Sequence, residues 1–444
     1  MRGALRQPAR LLPVAFLAAI AVSTSLLLLP VARADPEGAT TVMEALFTAT
    51  SAICVTGLIV VDTTHWSEFG HAVIIGSVHA GGYGIMTAAT LLALLVARRL
   101  GMRTRLLATT EGRSLDMANV KGVLLRVALI QVAFEVAVAV PITLRWWLSY
   151  GQTFGEAAWN GVFHGISAFN NGGFSLFSDS LEGYVGDWWI GVPITLGVIA
   201  GSLGFPVLIE LGRELSTPRK WSVHALLTVF GSVLLLAVGF LTLLAVEWTN
   251  PATFGRLGVA DKILAAFFNG AMPRSGGFSS VDFAAMSTES IAVTNALMFI
   301  GGGSASTAGG IKVATFFLLA YVIWSEIRGE PEVVVGRRRI AGAAQREAMS
   351  VALLGVALVA TGALLMVSLT EGFPFEYVMF DVISAFATVG LSTGVTMASP
   401  APAQAVLAAL MFVGRIGPVV LATGLALNTR HRLYRYPQER PIVG

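Results

Sequence analysis

Four stretches of this chain repeat one arrangement of residues, and those residues suit the coordination of a cation by backbone oxygen. Residues 47–58, 163–174, 267–278 and 380–391 each open on Phe, place a glycine ten residues later (Gly57, Gly173, Gly277, Gly390) and follow it with Leu or Phe. Ser-Ala stands six and five residues before the glycine in three of them, at Ser51-Ala52, Ser167-Ala168 and Ser384-Ala385. The glycines lie 116, 104 and 113 residues apart. Glycine admits positive φ and close approach of the backbone, and rings of carbonyls replace the hydration shell of a monovalent cation. The candidate coordinating residues are Val55, Thr56 and Gly57; Asn171, Gly172 and Gly173; Ser275, Gly276 and Gly277; Thr388, Val389 and Gly390. Packing glycines at helix contacts would explain one such motif. Four in register mark an internal repeat.

The elements that carry these motifs must lie in a membrane. Of 444 residues, 55% are hydrophobic and 12% charged, with mean hydropathy +0.75. Soluble proteins carry about a quarter charged residues, so a set of soluble domains is excluded. The pI of about 9.2 does not point to nucleic acid, because the basic residues are scattered among short loops. One cysteine, Cys54, excludes an internal disulfide and a cysteine-rich metal site. Long apolar runs occupy residues 11–31, 70–97, 123–149, 188–211, 223–248, 291–324, 351–369 and 403–427. Twelve helical residues reach about 18 Å, short of a hydrocarbon core of about 30 Å. The stretch before each glycine therefore enters and turns back, and its non-helical end is buried in protein or lines water. The partly negative C-terminal ends of four such helices would face one spot.

Of the 29 lysines and arginines, 22 fall before, between or after the runs on one side, which places both termini in the cytoplasm. Arg2, Arg6 and Arg10, then an apolar stretch, then Ala32-Arg33-Ala34, also fit a signal peptide; the repeat needs this run as its first helix. The expected fold is an all-α polytopic membrane protein. Eight transmembrane helices and four re-entrant pore helices form four helix–pore-loop–helix repeats around a pseudo-fourfold pore. The repeats span residues 1–112, 113–218, 219–343 and 344–444, with pore loops near 42–62, 156–179, 260–282 and 375–396.

Further residues draw attention. Gly301, Gly302, Gly303, Ser304, Ala305, Ser306, Thr307, Ala308, Gly309 and Gly310 interrupt the sixth run. Each glycine costs about 1 kcal/mol in a helix, so a kinked helix competes with a movable loop that gates the pore. A phosphate loop would need Gly-Lys-Ser/Thr, and Lys312 follows Gly-Gly-Ile instead. Arg415 lies in an apolar span, where a charge costs about 3 kcal/mol and marks function; pairing with an acid is the structural alternative. Lys312 is read as snorkelling to the interface. Glu135 is expected to pair with Arg126 or to face another repeat. His79 and His164 lack companions at ligand spacing. Asp62, Asp179 and Asp282 follow the filters and form either an acidic outer ring or plain loop surface.

These motifs resemble the Trk/Ktr/HKT superfamily of potassium transporters over about residues 10–430. Residues 299–312 resemble the intramembrane gate loop of that family's third repeat. Phe412-Val413-Gly414-Arg415-Ile416-Gly417-Pro418 resembles the fourth repeat's second helix, whose arginine lies beneath the filter. The chain is most similar to the Ktr membrane subunit (KtrB), because no helix pair precedes the first repeat. The third loop departs from the pattern, with Pro273-Arg274 and no Ser-Ala. The resemblance implies a potassium-uptake subunit and not an enzyme. It implies a potassium ion at the filter, sodium as a candidate activator, a homodimer in the bacterial plasma membrane, and a cytoplasmic ring of nucleotide-binding regulatory subunits (KtrA-like). The ring would dock on basic loops, with Arg337, Arg338 and Arg339 as candidates. The alternative is a sodium- or proton-coupled secondary transporter with a midplane site, which buried carboxylates in several spans would favour. An intramembrane enzyme would need a nucleophile–base pair or an acid–histidine cluster, and the sequence shows neither.

Overall fold

The computed structural model describes residues 8–35, 38–104 and 120–427. Arg2, Arg6, Arg105, Arg113, Arg430, Arg432, Arg435 and Arg440, and the repeat boundary at residue 112, lie outside the described residues. Helices dominate. In order they are α1 (Pro8–Leu27), α2 (Val42–Ile53), α3 (Glu68–Thr104), α4 (Val120–Ser149), α5 (Phe154–Phe169), α6 (Trp188–Leu203) and α7 (Phe205–Glu214). There follow α8 (Val223–Val246), α9 (Val259–Ala271), α10 (Thr288–Phe299), α11 (Val313–Ile327), α12 (Gly342–Leu369), α13 (Phe375–Ala387), the single turn α14 (Val395–Ala398) and α15 (Ala401–Leu427). A two-residue turn joins β1 (Val334–Val335) to β2 (Arg338–Arg339), with Val334 opposite Arg339.

The short helices α2, α5, α9 and α13 are the stretches that precede the four glycines. The first two open on capping boxes, Thr41 with Glu44 and Thr153 with Glu156, which satisfy orphan amides at the helix start. The other two start at Gly258 and Pro374 and carry Asp261 and Glu376 in the first turn, where an acid favours the positive end of the dipole. Each packs on the helix before it: α2 on α1, α5 on α4, α9 on α8 and α13 on α12. The helix that follows reaches the next short helix along: α3 touches α5, α6 touches α9, α10 touches α13, and α15 returns to α2. That last contact closes a ring.

The outside of the ring is apolar. Leu125, Leu129, Val132, Val136 and Val140 recur at helical spacing along the exposed face of α4. Only 28% of the most apolar stretch of α4, and 22% of that of α8, is buried. Such faces are stable against hydrocarbon, not water. By length and composition, α3, α4, α8 and α12 can each cross a membrane alone. The described apolar parts of α1, α11 and α15 are shorter. The run 188–211, expected as one straight span, is instead α6 and α7 bent by 102°. Gly204 makes the corner with φ 89° and ψ 146°, a region essentially confined to glycine. The stretch that fits a cleavage site is paired into the fold: the Ala34 amide donates to His65 O at 3.0 Å and the Ser67 amide to Ala32 O at 2.9 Å.

Candidate functional site

All four glycine loops share one backbone conformation. The key glycine has positive φ in each: Gly57 94°, Gly173 68°, Gly277 75° and Gly390 99°. So does the residue two positions earlier: Val55 54°, Asn171 60°, Ser275 70° and Thr388 48°. Left-handed φ is an outlier for a β-branched residue such as Val55 or Thr388. It costs about 1–3 kcal/mol and persists only where the surroundings impose it. In an extended strand successive carbonyls point to opposite sides; putting alternate residues in left-handed conformations swings them to one side. The loops then meet. A Cβ built on any of the four glycines would come within 2.8 Å of a neighbouring loop's backbone. The first contact is Gly172 O for Gly57, Val389 O for Gly277 and Thr56 O for Gly390, and Gly276 O lies by Gly173. The carbonyls just ahead of the glycines therefore gather about one axis.

The Ser-Ala pattern has a physical cause. The hydroxyls of Ser51 and Ser384 each accept the key glycine's amide at 3.1 Å, while Ser167 donates to Phe174 O at 2.9 Å. The carbonyls of these serines accept the amide ahead of the glycine, from Thr56 at 2.7 Å, Gly172 at 2.6 Å and Val389 at 2.9 Å. The third loop, without that serine, uses Met272 O for Gly276 N at 2.8 Å.

On one side of this ring a cavity of about 240 Å³ is lined by the four glycines together with Asp179, Glu182 and Asp282. Burial, then Asp282 and Asp179, push the Glu182 carboxyl up. On the other side lies the non-helical segment between α10 and α11. Thr307 Oγ1 donates to Asn171 Oδ1 at 2.7 Å, the Gly309 amide to Ser275 Oγ at 3.3 Å, and a Cβ on Gly309 would strike Thr388 Oγ1. The segment therefore lies against the left-handed residues of three loops. The end of α6 also holds it. Ser202 O accepts Gly303 N at 2.7 Å and Gly201 O accepts Thr307 N at 3.3 Å, while Phe205 N donates to Ala305 O at 3.2 Å. A helix end leaves carbonyls without partners, and here the segment supplies them. Three cations complete the hold: Arg415 on Thr307 O, Lys312 on Ala308 O at 2.7 Å, and Arg274 on Gly301 O at 2.8 Å.

The sequence profile of the TrkH family, described as a cation transport protein, matches residues 12–428. The chain belongs to that family. It is 36% identical to Ktr system potassium uptake protein B of Bacillus subtilis over 98% of this chain and 97% of that one. It is 35% identical to the protein of the same name from Vibrio alginolyticus, over 98% and 94%. Among solved structures, the potassium transporter TrkH from Vibrio parahaemolyticus superimposes with a TM-score of 0.67 at 21% identity, covering 94% of this chain and 85% of that one. This TrkH-family chain is an all-α polytopic membrane transport protein, not an enzyme.

Other sequence expectations fare differently in the family fold. Lys312 does not snorkel but binds the segment's own carbonyl. Among the described residues, Arg415 contacts a carbonyl and no acid, and its Nε and Nη2 find no partner. Of its two expected placements, Glu135 takes the second: it does not pair with Arg126 but faces His79 of α3. It accepts from His79 at 3.0 Å, Gln131 at 3.0 Å and Asn170 at 2.7 Å, behind the second loop. His164 bonds Ser175 at 3.1 Å. Asp62 caps a turn through the Thr64 amide at 2.7 Å and does not line the cavity. Arg337, Arg338 and Arg339 are exposed on the hairpin, and Arg339 pairs with Glu332 at 2.8 Å. Three site residues were given no role from the sequence: Arg274, noted there as a departure in the third loop and 5% exposed here, Glu182, and the corner Gly204.

Proposed function

We propose that this chain is the ion-translocating membrane subunit of a potassium-uptake system, with both termini in the cytoplasm. The observation that carries the reading is the ring of carbonyls from four loops that share alternating left-handed backbone. The names of its relatives, potassium uptake proteins of Ktr systems, agree with it. A hydrated cation enters the cavity beside Asp179, Glu182 and Asp282, whose charges raise its local concentration. It exchanges water for the carbonyls of Thr56, Gly172, Gly276 and Val389. It then passes down its electrochemical gradient. Segment 300–312, held beneath the filter by hydrogen bonds and three cations, is the gate. A KtrA-like cytoplasmic ring docks on the arginine hairpin and shifts that gate.

The test is Gly57→Ser. Its added Cβ would meet Gly172 O at 2.5 Å, so the ring must widen or deform. Potassium preference over sodium falls about tenfold or more, an effect worth about 1.4 kcal/mol, while the protein still inserts. Proteoliposome flux in mixed salts measures it. Unchanged selectivity in the Ser variants of all four glycines would sink the filter reading.

A further inference from the structure

Among the buried acids, Asp381 is the one bonded to the chain that leaves a filter glycine. Asp381 lies inside α13 with no exposed surface, and its hydrogen bonds come from the segment just past Gly390. Oδ1 accepts the Thr393 amide at 2.9 Å and its hydroxyl at 3.1 Å. Oδ2 accepts the Ser392 hydroxyl at 2.7 Å, the Thr396 amide at 2.8 Å and the Thr396 hydroxyl at 2.5 Å. Every partner is a donor, which suits an acceptor-only carboxylate. Bonds to an ionised acceptor are about twice as strong as neutral ones. A carboxylate so satisfied is a rigid anchor; half-satisfied, it would be a costly buried charge.

Two other loops carry a tie of the same reach. His164 Nε2 meets the Ser175 hydroxyl at 3.1 Å, and Asn269 Nδ2 donates to the Ser280 hydroxyl at 2.8 Å. Each pair is 11 residues apart, as Asp381 and Ser392 are. His164 Nδ1 donates to Asn160 O at 2.8 Å, which fixes the ring with Nε2 toward Ser175. Asn269 Oδ1 also takes the Ser280 amide at 3.2 Å. Ser175 and Ser392 line the cavity above the filter. Each tie runs from a fixed short helix to the chain leaving the filter, and of the three only Asp381 brings a carboxylate.

We infer that Asp381 is a positioning residue for ion selection: it clamps the outer end of the fourth filter strand, while Ser384 holds its inner end through the Gly390 amide. The inference rests on the filter reading above. A sodium ion is smaller than potassium, and a carbonyl ring can serve it well only by contracting. A strand fixed at both ends resists contraction. A strand freed at its outer end follows the smaller ion.

The test compares Asp381→Asn, Ser392→Ala and Gly57→Ser with the parent in proteoliposomes. The readouts are the potassium-to-sodium flux ratio, maximal potassium flux and the unfolding temperature in detergent. Asn keeps the size of the side chain but turns an amide donor toward groups that are themselves donors. Ser392→Ala deletes one donor and leaves the carboxylate its other four bonds. The flux ratio is expected to fall about tenfold or more in Asp381→Asn, the scale of one charged hydrogen bond, and by a smaller factor in Ser392→Ala, where four of the five bonds still hold the strand. Unfolding temperature should change little in Ser392→Ala. If maximal flux falls while the ratio holds, Asp381 is merely structural and the inference is overturned. If Asp381→Asn does not fold, Ser392→Ala decides, and an unchanged ratio there overturns the inference. If both variants keep the parent ratio while Gly57→Ser loses it, the clamp fails and the filter stands. If Gly57→Ser keeps it too, the filter reading itself has failed.

Discussion

Arg274 and Arg415 press guanidinium groups on carbonyls of one segment, and each leaves nitrogens without a partner: Nε and Nη1 of Arg274, Nε and Nη2 of Arg415. If the proposed filter is right, their fixed positive charge lies beneath it and repels an ion at rest there. Arg274→Met removes the Gly301 contact and leaves an unbranched, adaptable side chain in its place, so the variant should stay folded. A hydrogen bond from a charged group is worth about 1.5–3 kcal/mol, which is roughly 10- to 150-fold in the balance between held and released segment. Potassium flux without a regulatory partner should rise toward that range. Parental flux in a well-inserted Arg274→Met protein would remove Arg274 from the gate. The sequence misplaced this arginine for a definite reason. Counting charge by loops assigns a residue to one face of the membrane, but a re-entrant loop carries its middle residues to depth. Pro273-Arg274 marked that loop as different without showing where the side chain went. Asp381 was hidden in another way, inside an otherwise apolar helix, with partners that only the turn past Gly390 brings back.

At the scale of elements, the short helices α2, α5, α9 and α13 were readable because a repeated Phe-to-Gly spacing fixes both their length and their end. The glycine-rich break in the sixth run was readable because propensity forbids a helix there. The corner at Gly204 was not. Hydropathy scores apolar content and is blind to direction, so two helices at 102° read as one span. Gly204-Phe205-Pro206 was the available signal, a glycine followed by proline in the first turn of a new helix. This corner is where one broken span grips another. A Cβ on Gly204 would lie 2.5 Å from Ser304 O, at a φ and ψ that cost a non-glycine residue about 1–3 kcal/mol. Gly204→Ala should therefore push the tip of segment 300–312 off its seat and raise partner-independent flux severalfold, with assembly intact. Flux at the parental level would show that the corner serves packing alone.

Across the whole molecule, the ring α3–α5, α6–α9, α10–α13, α15–α2 brings four loops to one axis, while the arginine hairpin stands apart from it. If that hairpin docks a regulatory ring, changing Arg337, Arg338 and Arg339 together to Gln should weaken co-purification with the partner. The difference between parent and variant should be greatest at low salt, because high salt screens the parent's own exposed charge contacts. Equal recovery of parent and variant at low and high salt would move the docking surface elsewhere.

The network that holds segment 300–312 also has a calorimetric consequence. Backbone amides of residues 303, 307 and 309, the Thr307 hydroxyl and three cationic side chains are all engaged at once. Leaving that seat breaks these bonds together, before new ones form to water. Each is worth about 4–6 kcal/mol of attraction in apolar surroundings. Uptake should therefore carry a large activation enthalpy, and cooling should silence the protein far more sharply than it slows diffusion through an open pore. An Arrhenius plot of flux should be steeper for the parent than for a variant lacking residues 303–308, by at least the worth of one such bond, about 5 kcal/mol. Parallel plots would mean that the segment releases piecemeal, or that it does not limit flow.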